Sequence, residues 1–143
     1  MNTESLENLL TSAKAIAIVG VSDKADRPSN GVARYLLENS NYTLYFVNPA
    51  LKELLGHPVY SSLAEVLEVT PGIDIVDVFR KIEDMPAVLD EAIAVGAGAF
   101  WMQLGLRDDA LANKATAAGM QVVQDKCIKI EHERIKQAGL FSL

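Results

Sequence analysis

Ser22, Lys24, Arg27 and Ser29 follow closely on a glycine that ends an apolar run, Ala15-Ile16-Ala17-Ile18-Val19-Gly20-Val21-Ser22. The glycine permits a tight turn and lets a ligand come close to the backbone at Gly20 and Val21. A serine hydroxyl can donate to a phosphate, an arginine can hold one bidentately, and a lysine supplies a mobile point charge. A helix beginning near Pro28-Ser29 aims its free N–H groups at the same place. A second apolar run, Thr43 to Val47, ends at Asn48-Pro49. Strand, glycine turn, basic loop, helix and strand form the first half of a nucleotide-binding βαβ unit, with altered ligand chemistry. The second and third glycines of a dinucleotide fingerprint are missing, and so is the acid that would grip a free ribose diol after the second strand. An acid there would repel a phosphorylated ribose, and Asn48 does not. The loop suits a phosphate-rich nucleotide better than NAD. Each residue also has a plainer reading: Gly20 as a turn, Ser22 as a loop residue, Lys24 as a solvated charge, Asn48-Pro49 as strand termination.

Other strand ends carry further candidates. Phe79-Arg80 closes the run Ile73 to Phe79; the ring could cover an adenine face and the guanidinium could stack or bind phosphate, or the pair is a core ring beside a surface charge. Trp101 and Gln103 share one strand face. Trp101 reads as core, and Gln103, near the strand end, reads as a polar contact for a ligand or a neighbouring loop. Cys127 reads as a small buried packing residue, with a thiolate at a helix N-terminus as the sharper alternative. Neither His57, in a turn, nor His132, between two glutamates on a helix, has ligands at zinc spacing. No Ser-His-Asp triad or carboxylate pair stands out.

The elements that must position these residues alternate along the chain. Ser5 to Ala13 is a short amphipathic helix with Leu6, Leu9 and Leu10 on one face. Ala15 to Val19 is a strand covered on both faces. Ser29 to Asn39 is a helix, Thr43 to Val47 a strand and Val59-Tyr60 a short strand. Ser62 to Glu65 is a capping box opening another helix. Ile73 to Phe79, Ala99 to Leu104 and Gln121 to Gln124 are strands. Between them Pro86 suits a helix first turn and Gly96 its stop, while Asp108-Asp109 opens a helix that Gly119 closes. Cys127 to Gln137 is the last helix. Five main strands alternating with helices predict an α/β, Rossmann-like, doubly wound and mainly parallel sheet in three αβα layers, one domain over residues 1–143. Ligands of such sheets bind beyond the carboxyl ends of the strands, at the switch in strand order.

Composition narrows the function. The chain has 143 residues, half of them apolar, enough for one real core. A net charge of −6 argues against a nucleic-acid partner, which needs a basic face, but not against one small anionic ligand held by local cations. The apolar runs fall short of the ~20 residues of a membrane span, and the N-terminus has no basic region of a secretory signal. A single cysteine fits a reducing cytoplasm. Small α/β domains often dimerise, although no stripe here requires it.

Taken in order, Ile18-Val19-Gly20-Val21-Ser22, Arg27-Pro28-Ser29, Val47-Asn48-Pro49, Asp77-Val78-Phe79-Arg80, Trp101-Met102-Gln103-Leu104-Gly105 and Asp125-Lys126-Cys127 resemble the stand-alone CoA-binding domain proteins of bacteria. These are similar to the N-terminal CoA-binding domain of the succinyl-CoA synthetase α subunit. The resemblance covers nearly the whole chain. It implies coenzyme A or an acyl-CoA as ligand, the ADP part against Gly20 to Arg27 and the strand ends at Asn48-Pro49 and Phe79-Arg80. One departure is Asn30, where relatives often carry an aromatic residue. The phosphorylated histidine of the synthetases has no counterpart at His57 or His132, so the resemblance implies a binding or regulatory module rather than an enzyme. The alternative is an NADP-type oxidoreductase, or a subunit of one, with Lys24 and Arg27 meeting the 2′-phosphate.

Overall fold

Apolar side chains alternating between two helical layers set the architecture. Strand β1 (Ala15–Val19) is buried along its whole length. Its Ile16 and Ile18 join one layer and its Ala17 and Val19 the other, so both faces of the strand must be apolar. The computed structural model describes residues 1–141. After α1 (Thr3–Ser12) and β1 come α2 (Pro28–Asn39), β2 (Thr43–Val47), β3 (Glu53–Leu54), β4 (His57–Tyr60) and α3 (Leu63–Val66). The chain continues through β5 (Ile75–Val78), a 3-10 turn at Ile82–Asp84, α4 (Met85–Ala94), β6 (Ala99–Met102), α5 (Asp109–Ala117), β7 (Gln121–Val123) and α6 (Ile128–Gln137).

The strands form one sheet in the order β3-β4-β2-β1-β5-β6-β7. All neighbours pair in parallel except β3 with β4. Helices α1, α2 and α6 cover one face through Leu10, Leu36, Ile128 and Ile135, and α3, α4 and α5 cover the other through Leu63, Leu89 and Ala115. The Rossmann-like α/β class expected from the alternation is the one observed. The order of strands reverses at β1, flanked by β2 on one side and β5 on the other. No helix among the described residues is long and apolar enough to cross a membrane.

Local chemistry explains most boundaries. Asn2, Ser62 and Asp108 accept the N–H of Ser5, Glu65 and Leu111 at the starts of α1, α3 and α5. The capping box at Ser62 is only half formed: the Glu65 carboxylate takes the Ser61 hydroxyl instead of turning back to Ser62. The sheet has seven strands rather than five main strands and a short one. The additional strand, β3, is two residues long and pairs with β4 across Leu55-Gly56, both at positive φ, as a two-residue hairpin turn requires. So short a strand carries no periodicity to read. The strand expected from Ile73 begins at Ile75 because Asp74 turns aside, its carboxylate accepting the N–H of Lys14 and of Ala15, each at 2.8 Å. That contact joins the starts of β1 and β5.

Two polar groups lie deep in the layer of α1, α2 and α6. His132 of α6 is buried, with Nδ1 2.8 Å from the Tyr35 hydroxyl, and burial, with Lys136 adding to it, lowers its pKa. Asp77 lies in β5 between Ile18 of β1 and Trp101 of β6. It is fully buried, and neither carboxylate oxygen has a hydrogen-bond partner. Burial therefore pushes its carboxyl well above the usual carboxylate range. The native state retains a proton that the unfolded chain releases above the ordinary aspartate value of 3.8. Stability from this group is complete below that value and declines as pH rises toward the native pKa. Asp77→Asn removes the titration, so the variant gains on the parent as pH rises from about 4, by up to about 1.4 kcal/mol per pH unit. Urea unfolding of both chains from pH 4 to 8 measures this, and a constant difference would mean that the carboxyl is ionised in the native state.

Candidate functional site

The site grows from one close backbone approach. Gly20 ends β1 at φ +86°, and its N–H donates to the Val47 carbonyl of β2 at 2.8 Å. On its other side a Cβ added at Gly20 would lie 2.0 Å from the Phe79 carbonyl oxygen at the end of β5. No L side chain fits that gap or prefers that φ. The backbone after β1 is thereby drawn down between the ends of β2 and β5, at the reversal of strand order.

The loop that follows is held by its own polar groups. The Ser22 N–H donates to the Ser29 hydroxyl at 2.9 Å, and the Lys24 N–H to the Ser22 hydroxyl at 3.1 Å. Asn30, buried in the first turn of α2, donates to the Ser22 carbonyl and accepts from Arg34 Nε at 2.8 Å. Arg34 also donates to the Ala25 carbonyl. An aromatic residue at position 30 would lose both bonds. Arg27 precedes α2 with no side-chain bond to cap it, and Pro28 occupies its first turn. The ends of β6 and β7 are joined in a similar way. The Ile128 N–H at the start of α6 donates to Gln103 Oε1 at 3.0 Å, and Trp101 Nε1 donates to the Lys126 carbonyl at 2.8 Å. The Gly105 N–H donates to the Asp125 carboxylate at 2.7 Å.

Between these two tied regions lies a cleft of about 950 Å³, beyond the carboxyl ends of β1, β5 and β6 and between the N-termini of α2 and α6. That is where an open α/β sheet holds its ligand. Nine of the twelve residues singled out in the sequence line it. Gly20, Ser22, Lys24 and Arg27 come from the loop after β1, Pro28 and Ser29 from the first turn of α2, Phe79 and Arg80 from the end of β5, and Gln103 from the end of β6. Three do not. Val21 is buried in the core beneath the loop. Asn48 is turned inward, its Nδ2 donating to the Val21 carbonyl at 2.8 Å, and so supports the loop from below. Pro49 is exposed after β2, away from the cleft.

The structure adds lining residues that the sequence reading did not single out: Lys81, Asp84, Leu104, Leu106, Lys129 and Ile130, with Gly31 and Val32 of α2. Lys129 and Ile130 reach the cleft because α6, last in the chain, returns to pack beside α2. The sequence signal for them was a basic and an apolar residue in a first helical turn, which carries no information about what that turn faces. Cys127 packs against the core, as read, but is only half-buried: it precedes the first residue of α6 and also lines the cleft. Trp101 is fully buried, as expected of core.

Five cations border the cleft, Lys24, Arg27, Arg80, Lys81 and Lys129, against one carboxylate, Asp84. Among the described residues none of the five forms an ion pair. Asp23 and Asp26 of the same loop are exposed and do not line it. In a chain of net charge −6 this is a local excess of positive charge, suited to an anion with several phosphates. A second cleft of about 670 Å³ lies against the edge strand β7 and α1; its Arg107 is paired with Asp109 at 3.6 Å. It is away from the reversal of strand order.

Comparison with known proteins gives this architecture a family. Residues 14–133 match the CoA binding domain family, and the chain belongs to it. It is 37% identical over 127 residues to the uncharacterized protein YneT of Bacillus subtilis, covering 89% of this chain and 91% of that one. A solved structure, a hypothetical protein from Pyrococcus horikoshii OT3, superposes with a TM-score of 0.86 at 37% identity, covering 95% of this chain and 93% of that one. The chain is also 25% identical over 141 residues to the ADP-forming acetate–CoA ligase I of Archaeoglobus fulgidus, which covers 90% of this chain but only 20% of the ligase.

The approach at Gly20 makes a direct prediction. Gly20→Ala sets a methyl group against the Phe79 carbonyl at a φ that alanine resists. The expected loss is about 2–4 kcal/mol in urea unfolding, with the cleft distorted in what remains folded. Gly56→Ala, also at positive φ but with open space around the added atom, should lose only about 1 kcal/mol. Equal losses at the two positions would mean that the contact with β5 adds nothing to the conformational penalty.

Proposed function

We propose that the cleft at the reversal of strand order binds coenzyme A or an acyl-CoA and that this chain is a binding or regulatory module without chemistry of its own. The observation that carries the reading is the set of five cations around one cleft in an acidic chain, none in an ion pair among the described residues, beside a glycine turn built for close approach. CoA carries a pyrophosphate and a 3′-phosphate on an adenine nucleotide. The loop from Gly20 to Ser29 offers hydroxyls, N–H groups, Lys24 and Arg27 to those phosphates. Arg80 and Lys81 extend the charge across the end of β5, where Phe79 supplies a ring for the adenine. Membership of the CoA binding domain family supports the same ligand.

The absence of an acid after β2 supports a phosphorylated ribose over the free diol of NADH. The non-catalytic part of the reading rests on the lining of the cleft. His57 is exposed on β4 and His132 is buried against Tyr35, and neither borders the cleft. Asp84 is the one carboxylate that does.

Titration calorimetry should give a micromolar dissociation constant for CoA, about −8 kcal/mol, with NADH much weaker. NADH binding more tightly than CoA would overturn the reading, and NADPH binding best would favour an oxidoreductase. A second expectation concerns Arg27. Arg27 is exposed at the start of α2, makes no side-chain cap bond and forms no ion pair among the described residues. Arg27→Ala should weaken CoA by about tenfold or somewhat more, as loss of one charge-assisted contact does, and weaken dephospho-CoA less. Equal loss for both ligands would move Arg27 from the 3′-phosphate to the pyrophosphate.

A further inference from the structure

The cleft has two chemically different ends. Its cations come from the loop after β1 and from the end of β5, with Lys129 on α6 leaning toward Tyr35 of α2, 5.6 Å from the ring centre. Its other end, beyond β6, is apolar. Leu104 and Leu106 come from the turn after β6 and Ile130 from the first turn of α6. Leu104 is 66% exposed and Ile130 is 55% exposed, Leu104 being the most exposed large apolar side chain among the described residues. Neither is on a loose segment. The turn after β6 is closed by the Leu106 N–H to the Gln103 carbonyl at 2.8 Å and bound to the turn after β7 through the Asp125 N–H to the Leu106 carbonyl at 3.0 Å. The start of α6 is held by Gln103. Two large aliphatic side chains are therefore presented to water from rigid positions on one wall of a cleft whose other wall is cationic. A single surface leucine needs no explanation, but a fixed apolar shelf continuous with an anion site calls for an occupant that is charged at one end and apolar at the other.

We infer that this shelf receives the acyl chain of an acyl-CoA, so that the preferred ligand is an aliphatic acyl-CoA rather than free CoA or a CoA thioester with a carboxylate on its acyl group. The inference rests on the reading of the cleft as a CoA site. With the phosphates over the ends of β1 and β5, the pantetheine arm runs past Phe79 and Gln103 toward β6, and the thioester emerges beside Cys127, Leu104 and Ile130. Each methylene laid on the shelf leaves water and covers aliphatic surface that is otherwise exposed. A terminal carboxylate at the same place loses hydration against aliphatic surface, and Lys129, the cation next to Ile130 in α6, is turned toward the Tyr35 ring, 5.6 Å from its centre.

Calorimetric titration of the full chain with CoA, acetyl-CoA, butanoyl-CoA, hexanoyl-CoA and succinyl-CoA tests this. The affinity should rise two- to fourfold, roughly, for each methylene from acetyl to hexanoyl. Succinyl-CoA, matched to butanoyl-CoA in carbon number, should bind at least about tenfold more weakly than it. In a Leu104→Ser/Ile130→Ser double variant the rise with chain length should flatten. Both side chains are exposed, so the variant should fold, and circular dichroism and a thermal melt report whether it does. CoA binding with no dependence on chain length, or a dependence unchanged in the double variant, overturns the shelf and leaves the CoA reading standing. No binding of any CoA species overturns both. Binding of hexanoyl-CoA with free CoA undetectable supports the shelf and narrows the ligand to acyl-CoA.

Discussion

The contact between Gly20 and the carbonyl of Phe79 is the constraint on which the rest of the site depends. At that point β1 hands the chain to α2 on one side while β5 ends on the other, and the two backbones are too close for a Cβ between them. The Gly20 N–H is bound to Val47 and the Phe79 N–H to Val19, so three adjacent strands end together. The loop that follows has few places to go. Asn48 holds it from below at the Val21 carbonyl, and Asn30 and Ser29 hold it from the helix side at Ser22. The polar residues that look like ligand contacts thus divide into two kinds: those that brace the loop and those, such as Lys24, Arg27, Arg80 and Lys81, whose side chains form no ion pair among the described residues.

That division explains how an acidic protein can gather positive charge at one cleft. The chain carries a net charge of −6, while the five cations of the cleft are gathered by topology from three separate segments. Close cations repel one another, and such an arrangement persists where an anion offsets the repulsion or water screens it. The apolar end of the same cleft is held with equal firmness, through Gln103 and the paired turns after β6 and β7. A rigid site with unlike ends selects for the order of chemical groups along a ligand as well as for their kinds.

Asp77 is the counterpart of this order inside the sheet. It lies in β5, two residues before Phe79, with no hydrogen-bond partner for its carboxyl among the described residues. A buried acid of this kind is costly, and isolated costs of that sort gather near functional sites. Its place between Ile18 and Trp101 associates it with the strands that carry the cleft.

Much of this protein was determined by its sequence alone. Ala15–Val19, with no polar residue, could only be a strand covered on both faces, and the regular exchange of strand and helix required a parallel doubly wound sheet. Gly20 with Ser22, Lys24 and Arg27 marked one end of the cleft because those residues are close in the chain and their chemistry is local. The missing acid after Val47 was equally plain. What the tertiary structure decided was what depends on contacts between distant segments. Asn48 was read as a candidate ligand contact, but it faces the Val21 carbonyl, since a two-ended amide serves a loop as readily as a ligand. Cys127 reads as packing and does pack against the core, yet it also lines the cleft, which only the return of α6 beside α2 reveals. Leu104 stood out only as part of the segment at the end of β6, and Ile130 only as a helix residue: an aliphatic side chain in a turn or a first helical turn reads the same whether it faces core, water or ligand, and only the tertiary structure brings these two to one cleft.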